Sequence, residues 1–125
     1  MFRIVCAFER ESGADARDPL GDVEITDGRS AIVVRTTYLD SWIEALIKSL
    51  DEIRAGRSAQ VEIPEEPASL YVDVAADGKI RLRSGDVLVV ADNGQAFENA
   101  LLEASRFFLS RIAGQEEPVT PRSKT

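Results

Sequence analysis

Histidine is absent from this chain, and cysteine occurs once, as Cys6. Without histidine, a serine or cysteine nucleophile lacks the general base that usually activates it. A single cysteine cannot form an internal disulfide, and one thiol without histidine does not make a conventional zinc site. The composition therefore argues against a nucleophile triad and against a structural or catalytic zinc centre.

Two other kinds of signature are also missing. The chain contains no G-x-G-x-x-G or Walker-type run, so the usual nucleotide-binding loops are absent and we expect no cofactor. No apolar run approaches the roughly 18–20 residues that span a bilayer, and the apolar start at residues 1–8 is too short for a signal peptide. We therefore expect no membrane association and a cytoplasmic location.

The chain contains 22 acidic and 15 basic residues, so its formal net charge is −7. Nucleic-acid binding relies on neutralising phosphates with lysine and arginine, so this balance argues against nucleic acid. It argues equally against anionic membrane surfaces. An acidic surface suits solubility or a basic protein partner, and the charge alone leaves both open.

Hydrophobic periodicity predicts seven strands and two helices in the order βββ-α-ββββ-α. This pattern indicates an α+β fold, a mostly antiparallel sheet of about seven strands with the helices packed on one face. Cys6 alternates with Ile4 and Phe8, which predicts a small buried side chain. The predicted strands are residues 2–8, 21–26, 31–35, 59–63, 70–75, 79–83 and 86–91.

Turn and cap residues set the predicted boundaries of these elements. Asp27-Gly28 predicts a two-residue type I′ hairpin turn, and the runs 31–34 and 87–90, apolar on both faces, predict central strands. A first helix capped by Thr36 or Thr37 is expected to end at Gly56, and a second, capped by Asp92 or Asn93, covers residues 95–113. We predict one domain over residues 1–114 and a disordered polar tail over 115–125.

A calcium loop is the metal site that the sequence comes nearest to offering. Asp73, Asp77 and Gly78 match three positions of the EF-hand pattern, but Ala75 and Ser84 stand where ligands are needed. The segment also has the pattern of a hairpin rather than of a loop between two helices. We therefore expect no metal site, and an acid-based hydrolase built on Asp73 or Asp77 is the least favoured function.

Acidic residues form two segments. Seven acids and three arginines lie between Glu9 and Arg29, and three more acids lie just after residue 61. If the fold brings the two segments together, they form a negative face that steers a basic partner. The candidate partner-binding residues are Asp15, Asp18, Asp22, Glu24, Glu62, Glu65 and Glu66.

Two runs of residues carry a resemblance to a known family. They are Ser41 to Ile47 (SWIEALI), which leads to Gly56, and Val61 to Pro67 (VEIPEEP), which is followed by Leu70. They resemble the WapI-type immunity proteins of bacterial polymorphic toxin systems in their order of helix, acidic strand, meander and final helix. The resemblance covers residues 31–112. It implies a non-catalytic inhibitor that neutralises a cognate toxin, with the acidic charge complementary to a basic toxin domain such as a nuclease.

The sequence therefore predicts a small acidic protein-binding domain without catalytic activity, of the immunity type. The alternative is a dimeric chaperone-like or adaptor protein of a bacterial system, because Phe107 and Leu109 widen the apolar stripe of the second helix. In that case the partner is a second copy of the chain.

Overall fold

The structure is a computed structural model that describes residues 1–9 and 19–116, with side chains up to residue 112. Its element order matches the predicted one, and the α+β class is confirmed. The elements are β1 (Arg3–Phe8), β2 (Leu20–Thr26), β3 (Ala31–Tyr38), α1 (Leu39–Arg54), β4 (Ala59–Val61), β5 (Leu70–Val74), β6 (Ile80–Ser84), β7 (Val87–Ala91) and α2 (Gly94–Glu116).

The seven described strands form two antiparallel sheets rather than the single sheet expected from the sequence. One has the order β1-β2-β3 and the other β4-β5-β6-β7. The prediction that residues 31–34 and 87–90 form central strands was wrong, because β3 and β7 each lie at the end of a sheet and contact one another there. Their apolar outer residues are not covered: Val33 is 47% exposed and Leu88 45%.

The turn between β2 and β3 joins the two sheets. Asp27 does not have the positive φ that a type I′ turn requires, so that turn type was wrong, although the hairpin itself is present. One carboxylate oxygen of Asp27 accepts the N–H groups of Arg29 and Ser30, both at 2.8 Å. The other oxygen accepts the N–H of Val90, on β7, at 2.9 Å. The side chain that closes the hairpin therefore also holds the edge of the second sheet.

Helix α1 begins later than predicted, and its first residue is preceded by Tyr38, which makes no side-chain cap. The predicted threonine caps were wrong, because Tyr38 occupies the N-cap position and the hydroxyl of Thr37 is bonded to Glu66 and Trp42 instead. The predicted end is confirmed: Gly56 has φ +83°, and two bonds close a Schellman motif, from Gly56 N to Ile53 O and from Arg57 N to Glu52 O.

Helix α2 is capped as predicted, since the side-chain oxygen of Asn93 accepts the N–H of Ala96 at 2.8 Å. The helix continues through Gly114 to Glu116, so the predicted end at Gly114 was wrong. One glycine costs a helix only about 1 kcal/mol relative to alanine, which does not by itself end it. The helix thus enters the predicted tail, of which residues 117–125 lie outside the described residues.

Both helices pack on the inner faces of the sheets. Helix α1 contacts β2, β4 and β5, helix α2 contacts β1 and β7, and the two helices contact each other. The buried side chains of all these elements form one cluster, with Trp42, Phe97 and Leu46 among its largest members. Among the elements that the structure describes, no helix packs on the outer face of either sheet, so these faces are broad open surfaces.

Candidate functional site

Two of the predicted partner-binding acids make contacts within the fold. Asp22 forms an ion pair with Arg35 at 3.2 Å and accepts the N–H of Thr36 at 2.9 Å. Thr36 has φ +53°, an uncommon backbone conformation for a residue other than glycine, at the point where the β2–β3 register shifts. Asp22 thus stabilises this irregular part of the strand pair. Glu66 accepts the hydroxyl of Thr37 at 2.7 Å and is half-buried.

The other predicted acids are divided among separate elements. Glu24 is exposed on the outer face of β2, the same face as Asp22. Glu62 and Glu65 are exposed in the connection between β4 and β5. Asp15 and Asp18 lie outside the described residues. Their partner-binding role stays a prediction.

The outer face of the four-stranded sheet carries a different set of side chains. Antiparallel register places Gln60, Tyr71, Arg83 and Leu88 in one row across β4, β5, β6 and β7. The guanidinium of Arg83 lies over the ring of Tyr71, 5.0 Å from its centroid. Tyr71 is 37% exposed, and Leu88, on the other side of Arg83, is exposed as well. Tyrosine and arginine are the residue types enriched at the energetic centres of protein interfaces.

A second row on the same face is polar. Arg81 donates two hydrogen bonds to the carboxylate of Asp73, from Nε at 2.8 Å and from Nη2 at 3.0 Å. This bidentate pair raises the pKa of Arg81 above its ordinary value, first through the hydrogen bond and then through the charge of Asp73. The two rows surround an open depression of about 520 Å³. We call this surface, formed by Gln60, Tyr71, Asp73, Arg81, Arg83 and Leu88, the sheet face.

A groove continues from the sheet face around the edge of β4. It lies between α1 and β4, has a volume of about 690 Å³, and is lined by Lys48, Asp51, Glu52 and residues 58–62. Three of its lining side chains are acidic and one is basic. Glu62 is the predicted partner-binding residue that lines this groove, and we call it the β4 groove.

Three residues considered in the sequence analysis for chemistry, Cys6, Asp73 and Asp77, have defined environments in the fold. Cys6 is buried as predicted, and burial raises the pKa of its thiol to about 11, so it is un-ionised and unreactive at neutral pH. Asp73 is engaged by Arg81, and Asp77 accepts the N–H of Lys79 at 3.1 Å. Within residues 1–9 and 19–116, no three cysteine or acidic side chains are grouped closely enough to hold a metal ion.

Sequence reasoning singled out the acids and passed over the sheet face. The signal was present, because alternation alone points Tyr71 and Arg83 to the same side of two adjacent predicted strands. The hairpin at Asp77-Gly78 then sets them opposite each other. The sequence prediction considered only acidic residues as candidate partner-binding residues, so it missed the row in which an aromatic, an arginine and a leucine lie side by side.

Comparisons with known proteins add no relative to this description. The chain matches no protein-family model, no curated protein and no solved structure. Of the helices in the described part of the chain, none combines the length and apolar character needed to cross a membrane.

Proposed function

We propose that this chain is a small, non-catalytic protein-binding domain that docks its partner on the sheet face. The observation that carries the proposal is the exposed row of Tyr71, Arg83 and Leu88 on a rigid antiparallel sheet. Arginine stacked on tyrosine loses little conformational freedom on binding, and both side chains offer large contact areas. The sheet backbone fixes their spacing, so the surface is preorganised.

In its finer form, the proposal is an immunity-type inhibitor that binds a basic toxin domain in the cytoplasm. The net charge of −7 supports this form, because an acidic protein attracts a basic partner over long range. The acidic β4 groove beside the sheet face supports it further. Association should then be faster at low than at high ionic strength, since salt screens exposed charges.

A matched pair of variants tests the surface. Leu88→Asp places a charge on the sheet face, and Val33→Asp places the same charge on the outer face of the other sheet at nearly equal exposure. Affinity capture with the immobilised full chain is expected to recover the same basic partner with wild type and Val33→Asp, and at least ten-fold less with Leu88→Asp. Equal capture by both variants would refute the proposed surface.

A second candidate function is the dimeric chaperone-like or adaptor protein. It is favoured by exposed apolar side chains on α2, where Phe107 is 41% exposed and Leu109 61%. Leu102 lies seven residues before Leu109, two helical turns along the same side, and is exposed too. Light scattering measures the mass of wild type and of the Leu102→Glu/Leu109→Glu double variant. This candidate function requires that wild type is a dimer and that the double variant is a monomer. A monomeric wild type rules it out.

A further inference from the structure

The direction in which the main-chain N–H and C=O groups of β4 point follows from the hydrogen-bond pattern of the neighbouring strands. Ala75 N donates to Lys79 O at 2.8 Å, so these two residues form a hydrogen-bonded pair at the β5–β6 turn. Because such pairs alternate along antiparallel strands, the main-chain groups of Tyr71 point to β6 and those of Val72 point to β4. Val72 is opposite Ala59, so Ala59 is bonded to β5. The N–H and C=O of Gln60 therefore point away from the sheet.

The opposite edge of this sheet checks the same alternation. It predicts that the N–H of Val90 points outward from β7, and that N–H does donate to Asp27 at 2.9 Å. The edge at β7 is thus occupied by the turn of the other sheet. Gln60 is the corresponding outward residue at the β4 edge, and no described strand pairs with it there.

The edge of the three-stranded sheet at β1 differs from the β4 edge in the burial of its outward-bonding residues. Glu9 N donates to Leu20 O at 3.0 Å, so the outward main-chain groups on β1 belong to Ile4, Cys6 and Phe8. Ile4 and Cys6 are buried, and α2 packs on this strand. At β4, by contrast, Ser58, Gln60 and Glu62 are all exposed.

Charge beside the β4 edge selects a partner type. The β4 groove carries Asp51, Glu52 and Glu62 against Lys48, an excess of two negative charges among its lining residues. Glu52 is already paired with Arg57, its Oε1 lying 2.6 Å from Nε. Asp51 and Glu62 are exposed at the two sides of the edge. A strand that binds here is therefore favoured if it carries lysine or arginine.

We infer that the free edge of β4 accepts an extended basic segment of the partner protein as a fifth strand of the sheet. Strand addition uses main-chain bonds for affinity and alternate side chains for specificity. The partner residue opposite Gln60 directs its side chain to the sheet face, beside Gln60 and in the same row as Tyr71. Its two neighbours direct theirs toward α1 and the acidic groove. This inference rests on the proposed function, since it names how the partner of the sheet face binds.

A pentapeptide of sequence Thr-Lys-Val-Lys-Thr, blocked at both ends, is the probe. Its valine pairs with Gln60 and its lysines face α1. Titrated into the 15N-labelled full chain, it is expected to shift the amide resonances of residues 58–62 and to bind at least ten-fold more weakly when N-methylated at the valine. N-methylation of the first lysine, whose N–H points away from β4, serves as the matched control and is expected to change affinity less than three-fold.

Variants of the protein test the same contact from the other side. Gln60→Pro removes the outward N–H without breaking the β4–β5 bonds, because proline is tolerated where a strand N–H faces solvent. It is expected to abolish peptide binding while circular dichroism stays unchanged. Asp51→Asn is expected to weaken binding about three-fold at low salt. If Gln60→Pro does not fold, the two N-methylated peptides with wild type carry the test alone.

Three results would overturn the inference. They are equal binding of both N-methylated peptides, equal binding of a Thr-Glu-Val-Glu-Thr peptide, and a dimeric free protein that Gln60→Pro converts to monomer. The last would mean that a second copy occupies the edge. Any of these, together with loss of partner capture by Leu88→Asp, leaves the sheet-face proposal intact. Unchanged capture by Leu88→Asp refutes that proposal separately.

Discussion

The indole N–H of Trp42 donates a hydrogen bond of 3.1 Å to the hydroxyl of Thr37, at the junction of β3 and α1. The same hydroxyl donates to the carboxylate of Glu66 at 2.7 Å. Thr37 and Trp42 are both buried, and their polar atoms are all paired. The hydroxyl therefore acts once as donor and once as acceptor, which is the arrangement that satisfies its neighbours on both sides.

Thr37→Val keeps the shape of this side chain and removes its oxygen. The N–H of Trp42 is then buried without a partner, which costs about 1–3 kcal/mol in the free energy of unfolding. Urea unfolding followed by the fluorescence of Trp42, the sole tryptophan, measures the loss. Ser49→Ala is the control, because its buried hydroxyl bonds only the carbonyl of Ala45 in its own helix and we expect a change within about 0.5 kcal/mol. Equal losses in the two variants would contradict the assigned role.

Asp27→Ala should loosen the junction between the two sheets. The carboxylate accepts three main-chain N–H groups, and hydrogen bonds to a charged group are worth more than neutral ones. We expect a loss of about 2–4 kcal/mol in the free energy of unfolding, by summing weakened bonds of that kind. Asp77→Ala, which removes a single bond to the N–H of Lys79, is the control and should cost less than half as much. Hydrogen exchange at the Val90 amide should accelerate only in the Asp27 variant.

The same carboxylate predicts a dependence on acid. Burial acts to raise the pKa of Asp27, but the N–H groups of Ser30, Val90 and Arg29 outweigh it and leave the pKa below its ordinary value of 3.8. Because the pKa is lower in the folded state, this stabilisation is complete above about pH 4 and is lost as pH falls through the folded-state pKa. The difference in unfolding free energy between wild type and Asp27→Asn should therefore be constant from pH 7 to 5 and shrink below pH 4. A constant difference down to pH 2 would contradict it.

The element order could be predicted from the sequence because it depends on local patterns. Period-2 alternation placed the strands, the 3.6-residue stripe placed α1, and Asn93 and Gly56 marked helix ends where the structure has them. The division into two sheets could not be predicted in this way. It depends on strand pairing between segments far apart in the sequence, because β3 and β7 contact one another without pairing into one continuous sheet.

The candidate site was predictable in part for the same reason. Tyr71 and Arg83 lie opposite each other because one short hairpin joins their strands, and that hairpin can be predicted from the local sequence. The open edge at Gln60 is not, because β4 is joined to β5 by a connection that contains Pro64 and Pro67, and the pattern does not say on which side of the meander β4 pairs. The predicted threonine cap failed because Thr37 is used by a tertiary contact to Glu66 instead.

Two glycines offer a test of backbone conformation that does not involve packing. A Cβ at Gly56 or at Gly94 would meet no heavy atom within 4 Å, but only Gly56 has a positive φ, +83°. Gly56→Ala should destabilise by about 1–2 kcal/mol, the cost of the left-handed conformation for an L-residue. Gly94→Ala, in the first turn of α2, should stabilise by about 0.4–1 kcal/mol through the unfolded state. Thermal unfolding shifts of the same sign in both variants would contradict the argument.

Cys6 predicts how the free energy of unfolding depends on pH in the alkaline range. Burial raises the pKa of its thiol from 9.0 to about 11, so the folded state resists the ionisation that the unfolded state undergoes. The stabilisation is therefore complete below pH 9 and is lost as pH rises from 9 towards 11. Wild type should lose unfolding free energy across that interval relative to Cys6→Ala, whose stability carries no thiol titration. A parallel measurement uses a thiol reagent at pH 8: we expect labelling of native protein to be at least a hundred-fold slower than labelling in urea. Rapid labelling of the native state, or superimposable alkaline profiles of wild type and Cys6→Ala, would show that this thiol is not held un-ionised by burial beneath α2.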